Sequence, residues 1–270
     1  MILPKSAWAL SGAGTLAALH VGAVNYLWQH TRPSILADTS AGSIVAGCLA
    51  TGMQPTEMKH VVLSADYRKL IPMNRWLAPF RGYLASTKNV RAWLLELTKG
   101  QFMEDCEIPF ISITTDLYTG KTATFTMQKN PGMYVADAIL ASMSIPDVFP
   151  PFQGRYVDGG LMCNLGVQYL PIMRRRLGLR VVEAQTIGPI TGFVDEQERF
   201  ISAGLSASED DEVLIAKELQ IPVIDLHGGN LGFLNRNMMQ AQKEGLYQTG
   251  YETAQQWIES PMGKEWLNNG

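Results

Sequence analysis

Three short stretches of the chain hold residue types suited to covalent chemistry. One reads Ile35-Leu36-Ala37-Asp38-Thr39-Ser40-Ala41-Gly42, with Ile44, Val45, Cys48 and Leu49 following at helical spacing. An apolar strand, a turn of small residues and a helix place Ser40 at a sharp corner. Its hydroxyl then faces out beside the unpaired N–H groups of the helix start. That is the plan of a nucleophile elbow, usually G-x-S-x-G; here Asp38 occupies the first glycine position. The same residues also read as an ordinary helix-start turn. A second stretch, Gly12-Ala13-Gly14-Thr15, follows the apolar run at 7–11. Glycines at a strand-to-helix turn let backbone N–H groups approach a ligand, and the helix start favours negative charge. Two chemistries use such a turn. In one, Gly12, Gly14 and Ala17 form a dinucleotide fingerprint and Asp38 holds the ribose. In the other, the N–H groups form an oxyanion hole for acyl transfer. The third stretch is Tyr156-Val157-Asp158-Gly159-Gly160, where two glycines after an acid allow a tight turn that aims the Asp158 carboxyl into a cleft.

These residues need a frame, and the pattern predicts one. Strands are expected at 7–11, 35–37, 108–126 (two, joined by a turn at Tyr118-Thr119-Gly120), 155–161, 181–187 and 222–226. Helices are expected at 16–29, 53–66, 134–145 and 235–259, and after the Ser40 turn. Pro146, Pro150 and Pro151 enforce an extended segment. The acidic stretch from Asp195 to Glu212 reads as a solvated connection. Strands alternating with helices, without repeats or a linker, argue for one layered α/β domain over 1–270. Within it, 66–100 changes character. Arg68, Lys69, Arg75, Arg81, Lys88, Arg91 and Lys99 stand against Asp66 and Glu96, with Tyr67, Trp76, Phe80, Tyr83 and Trp93 interleaved. That mixture suits an anionic lipid surface or the cover of an apolar pocket; a helical insertion with snorkelling cations fits it equally.

Composition narrows the function classes. The 270 residues are 46% hydrophobic and 17% charged, enough for a sizeable core. A formal net charge of −3 gives no overall basic field for nucleic acid. Cys48, Cys106 and Cys163 form neither a C-x-x-C pair nor a disulfide framework. His20, His30, His60 and His227 are not spaced to ligate a metal. With no signal peptide pattern, and an apolar 16–28 segment too short to span a bilayer, the expected location is cytoplasmic, with peripheral contact at membranes.

Taken together, the blocks LSGAGTLAALHVGAV, DTSAGSIVAG, IPFISITTDLYTGK, ASMSIPDVFPPF and YVDGGLMCNLGV resemble the patatin-like phospholipases, in that family's order and across roughly residues 7–258. The resemblance implies a three-layer α/β/α domain with a mostly parallel sheet and a helical cover inserted at about 53–105. It implies hydrolysis of fatty acyl esters of phospholipids or related lipids by a Ser–Asp dyad, with no cofactor and no metal. Ser40 matches the nucleophile and Asp158 its partner; Gly12, Ala13 and Gly14 match the oxyanion loop. Two of these blocks depart from the family pattern. Leu16 and Ala17 replace the glycine block's basic residue and last glycine, and Asp38 replaces the elbow's first glycine. A lipid-binding protein with weak or no catalysis is the alternative these departures suggest; a dinucleotide enzyme is the third.

Overall fold

The computed structural model describes residues 3–74, 76, 78–182, 199 and 211–268. Its centre is a sheet in the order β4-β3-β2-β1-β6-β7. The strands are β1 (Lys5–Leu10), β2 (Arg32–Thr39), β3 (Phe110–Asp116), β4 (Lys121–Thr126), β5 (Tyr156–Asp158), β6 (Arg176–Val182) and β7 (Val223–His227). β1 runs parallel to β2 and β6, β2 to β3, and β6 to β7; β4 and β5 both pair antiparallel with β3. The near-continuous apolar runs of β1 and β2 follow from burial on both faces.

Alternate residues of β1 and β2 face different layers. Trp8, Leu10 and Leu36 join the larger core under the helices α1 (Ala18–Leu27), α2 (Ala41–Ala50), α6 (Lys88–Leu97), α7 (Val135–Ser142) and α9 (Gln240–Glu259). Ala7, Ala9 and Ala37 face a smaller core with Leu165, Val167, Ala216 and Ile221. Small side chains there let a thin layer, including the helix α8 over 211–218, lie close to the sheet. The expected α/β architecture with a mostly parallel sheet is therefore present.

Between α2 and β3 the chain makes α3 (Pro55–Ser64), α4 (Tyr67–Leu70), α5 (Ala78–Arg81) and α6, and the last helix is α10 (Pro261–Asn268). The bidentate Arg91–Asp137 pair, at 2.6 and 3.0 Å, ties α6 to α7.

Three expectations shift. The sixth strand lies at Arg176–Val182, upstream of 181–187, and 183–187 fall outside the described residues. Arg176 and Gly178 break the apolar run that marks a strand. The pairing partner and the end of α10 supply what is missing: β6 lies between β1 and β7, and the Trp266 indole donates to the Arg176 carbonyl at 2.9 Å. The helix expected from 235 begins at Gln240. Most of the acidic 195–212 stretch lies outside the described residues, but Glu212, expected in solvent, is 3% exposed.

Candidate active site

The strand β3 acts as a ruler for the site. Thr39, the last residue of β2, lies opposite Ile113, and Asp158, the last residue of β5, lies opposite Thr114. β5 thus takes up β3's edge where β2 leaves it, and the ends of the two strands meet. One residue past Thr39, Ser40 turns with φ 50° and ψ −122°, a conformation that L side chains rarely adopt. Its side chain is thrown out of the strand direction, and its Oγ donates to Asp158 Oδ2 at 2.5 Å. The sequence separation is 118 residues.

Strain at Ser40 persists because its surroundings over-determine it. The Ser40 N–H donates to Ser142 Oγ at 2.8 Å, and the Ser142 hydroxyl donates to the Ile113 carbonyl at 2.7 Å. The Ser43 hydroxyl donates to the Ser40 carbonyl. Asp158 is held just as firmly. Its N–H donates to the Ser144 carbonyl at 2.9 Å, Thr115 Oγ1 donates to its carbonyl at 2.9 Å, and Gly160 N–H donates to Oδ1 at 2.8 Å. Gly159 is required between them, because a Cβ there would meet the Ile113 carbonyl and the Thr39 side chain. Ser40 and Asp158 are each 2% exposed. Burial pushes the Asp158 carboxyl up to about 6, and the hydrogen bonds from Ser40 and Gly160 offset part of that rise.

The glycine turn lies beside this pair. Gly12 N–H is committed, donating to the Asn164 backbone carbonyl and Oδ1, each at 3.1 Å. Thr15 N–H donates to the Phe233 carbonyl at 2.8 Å. Between them, the N–H groups of Ala13 and Gly14 meet no acceptor among the described residues. Gly14 has φ 51°, and a Cβ there would strike the Phe233 carbonyl and ring. His20 braces the turn from below, its Nε2 at 2.9 Å from the Ser11 carbonyl; burial lowers its pKa to about 4, so the ring is neutral at pH 7 and donates.

Residues the sequence reading passed over hold these parts together. Ser142 and Ser144, two apart in the block ASMSIPDVFPPF, each fix one member of the Ser40–Asp158 pair. Glu212 accepts from the N–H groups of Asn164 at 2.7 Å, Leu165 at 2.6 Å and Gly166 at 3.0 Å, and from the Cys163 thiol at 2.8 Å. The loop it grips supplies Asn164 to Gly12 and a carbonyl to the Thr39 hydroxyl at 3.0 Å. The spacing of the two serines was visible in the sequence; nothing near Glu212 signalled a buried acceptor.

Asp38 is 0% exposed, and neither oxygen has a hydrogen-bond partner among the described residues. Burial raises its pKa well above the usual carboxylate value, and the neighbouring Ser112 offsets part of this. Its side chain lies wholly in the core and offers no exposed group to a ribose.

A narrow apolar pocket opens from Ser40. Gly14, Thr15, Ser40 and Ala41 form its near end. Ile44 and Cys48 of α2, Met58 and Val62 of α3, Leu70 and Ile71 at the end of α4, Val90 and Trp93 of α6, and Met143, Ile145 and Phe149 line the rest.

The chain resembles known proteins in sequence and in fold. A family model described as patatin-like phospholipase matches residues 9–171. An uncharacterized NTE family protein of Mycobacterium bovis is 28% identical over 165 residues, covering 61% of this chain and 43% of its own length. The match thus spans less than half of that relative. An uncharacterized protein of Acanthamoeba polyphaga mimivirus is 24% identical over 278 residues, covering 93% of this chain and 92% of its own. Among solved structures, VipD from Legionella pneumophila superposes with a TM-score of 0.63 at 13% identity, covering 94% of this chain and 66% of that one. ExoU in its complex with SpcU from Pseudomonas aeruginosa gives 0.55 at 17% identity, with 98% and 52% covered. At these identities the structural likeness concerns the fold. With the family model spanning more than half of its residues, the chain belongs to the patatin-like phospholipase family.

Proposed function

We propose that the protein is a serine acyl hydrolase that cleaves fatty acyl esters of phospholipids or related lipids through a Ser40–Asp158 dyad and an acyl-enzyme. The observation that carries this reading is the 2.5 Å bond from Ser40 Oγ to Asp158 Oδ2 at the end of an apolar pocket.

A serine hydroxyl is a weak nucleophile until a base takes its proton. Asp158 sits in contact with that proton, and burial makes it a stronger base than a solvated carboxylate of pKa about 3.9. As Oγ attacks the ester carbonyl, Asp158 takes the proton and the carbonyl oxygen becomes an oxyanion. Ala13 and Gly14 N–H groups are the donors positioned to receive it, Gly12 being committed to Asn164. Such a donor typically lowers the barrier by about 3–4 kcal/mol. The Asp158 carboxylic acid then protonates the departing alcohol. Asp158, ionised again, takes a proton from the water that attacks the acyl-enzyme, and returns it to Ser40 Oγ as that bond breaks and the fatty acid leaves. The fatty acyl chain lies in the pocket between α2 and the α3–α6 cover, and transient contact with a membrane surface delivers it. Among the described residues no helix is long and apolar enough to cross a membrane.

The test is release of fatty acid from phospholipid and of p-nitrophenol from short esters by the wild type and by Ser40→Ala. Release that disappears in a folded Ser40→Ala variant supports the reading, and release that persists overturns it. A wild type that binds lipid yet hydrolyses neither would favour the binding-only alternative.

A further inference from the structure

Between Asp66 and Glu96 the sequence holds Arg68, Lys69, Arg75, Arg81, Lys88 and Arg91 and not one acid, in a chain of net charge −3. The structure sorts these cations. Arg68 and Lys69 lie 3.8 and 3.7 Å from Asp66, and Arg91 pairs with Asp137. Arg81 and Lys88 are exposed on the segment that also carries the two most exposed large aromatic rings described, Trp76 at 89% and Phe80 at 87%. Indole and phenyl rings held in water at these values cost free energy that an apolar partner would return.

The loop's attachment says where the partner must lie. Asn74 N–H donates to the Leu84 carbonyl at 2.7 Å, closing the loop at its base. Leu84 and Ala85 N–H groups then donate to the carbonyls of Asp147 and Val148, each at 2.8 Å. One leg leaves from Ile71 and the other is tied between Ile145 and Phe149, and all three of those residues line the pocket. The exposed rings therefore project from the rim of the space that reaches Ser40.

We propose that Trp76 and Phe80, between the tied ends at Asn74 and Leu84, form a membrane-docking tip. Trp76 and Phe80 enter the headgroup–acyl boundary of an anionic bilayer, Arg81 and Lys88 face its phosphates, and an acyl chain passes from that boundary over Ile71 and Phe149 into the pocket. Only the last step rests on the hydrolase reading. The partner is a lipid surface because the tip combines aromatic rings with cations and is continuous with an apolar pocket; an acidic protein would match the cations alone.

The test uses the 270-residue chain carrying Ser40→Ala, so that vesicles stay intact during binding. Co-sedimentation is measured with phosphatidylcholine vesicles and with phosphatidylcholine–phosphatidylglycerol vesicles, for the parent, for Trp76→Ala/Phe80→Ala and for Arg81→Glu/Lys88→Glu. The parent is expected to partition onto the anionic vesicles. Losing both rings should lower its partition coefficient about tenfold or more. Reversing the two cations should weaken binding and flatten its salt dependence. Brominated phospholipid should quench part of the parent's tryptophan emission, and Trp76→Phe should abolish that part. A parent that ignores both vesicle types, a ring variant that binds as the parent does, or a patch that takes only acidic proteins would each overturn the proposal. Hydrolysis of a water-soluble p-nitrophenyl ester by wild type reads the dyad separately. Vesicle binding without that hydrolysis sinks the hydrolase and keeps the tip, and the reverse result does the opposite.

Discussion

Two buried aspartates three residues or fewer from a strand end meet different fates, and the difference is one hydroxyl and one amide. Asp158 has a hydrogen bond on each oxygen, from Ser40 and Gly160; Asp38 has none among the described residues. Burial raises both carboxyls, Asp158 to about 6 and Asp38 well above its ordinary value. Since Asp158 must be ionised to take the Ser40 proton, kcat/KM for a soluble ester should rise with pH and level off above an apparent pKa near 6. A profile flat through that region would remove Asp158 as the base. For Asp38 the consequence is stability. Its folded pKa lies above its unfolded one, so the folded state holds the proton more tightly. The stability contributed is full below the unfolded value and is lost as pH rises through the folded one. Asp38→Asn stays neutral throughout. Its melting temperature should fall less steeply than that of the wild type toward alkaline pH, with ester hydrolysis retained. Identical melting curves against pH would show that Asp38 is ionised in the fold.

At the scale of elements, the site depends on a loop gripped by a single carboxyl. Glu212→Ala leaves the N–H groups of Asn164, Leu165 and Gly166 without their acceptor. Each unsatisfied buried donor costs about 1–3 kcal/mol, so the melting temperature should drop sharply. Because Asn164 holds Gly12, kcat should fall more than KM rises in the folded fraction; a variant with wild-type kcat would show that the glycine turn stands without this support. Much of this architecture was legible beforehand. The runs at 7–11 and 35–37, the helical spacing after Ser40, and the Asp158-Gly159-Gly160 turn all appear where local pattern placed them. Those signals are local: periodicity and turn chemistry reside in adjacent residues. What was illegible is what depends on distant partners. Ser142 and Ser144 looked like helix-end residues, yet each bonds a group that arrives from another strand. β6 begins five residues before the expected strand because its pairing and α10 outweigh Arg176 and Gly178. Glu212 stood in an acidic stretch that composition assigns to solvent, and only the backbone N–H groups of a loop 46–49 residues away explain its burial.

For the molecule as a whole, the α/β frame and the inserted helices divide the work. The frame brings Ser40, Asp158 and the glycine turn to one end of the sheet, and α3, α4 and α6 close an apolar space against α2. Ile44 and Cys48 follow Ser40 at intervals of four, so the pocket runs along one face of α2 for about 12 Å at 1.5 Å per residue. Cys48→Phe fills the far part of that path. Hydrolysis of long-chain p-nitrophenyl esters should drop about tenfold or more while the butyrate ester is still cleaved. An unchanged chain-length preference would move the acyl chain elsewhere.

Chemical activity of the Ser40–Asp158 contact is read most directly from the rate of covalent labelling by a fluorophosphonate, with the modified residue mapped by mass spectrometry. Labelling should fall on Ser40, slow below about pH 6, and slow by about 10²–10⁴-fold in Asp158→Asn. Labelling of Ser40 at an unaltered rate in folded Asp158→Asn, or of a different serine, would contradict it.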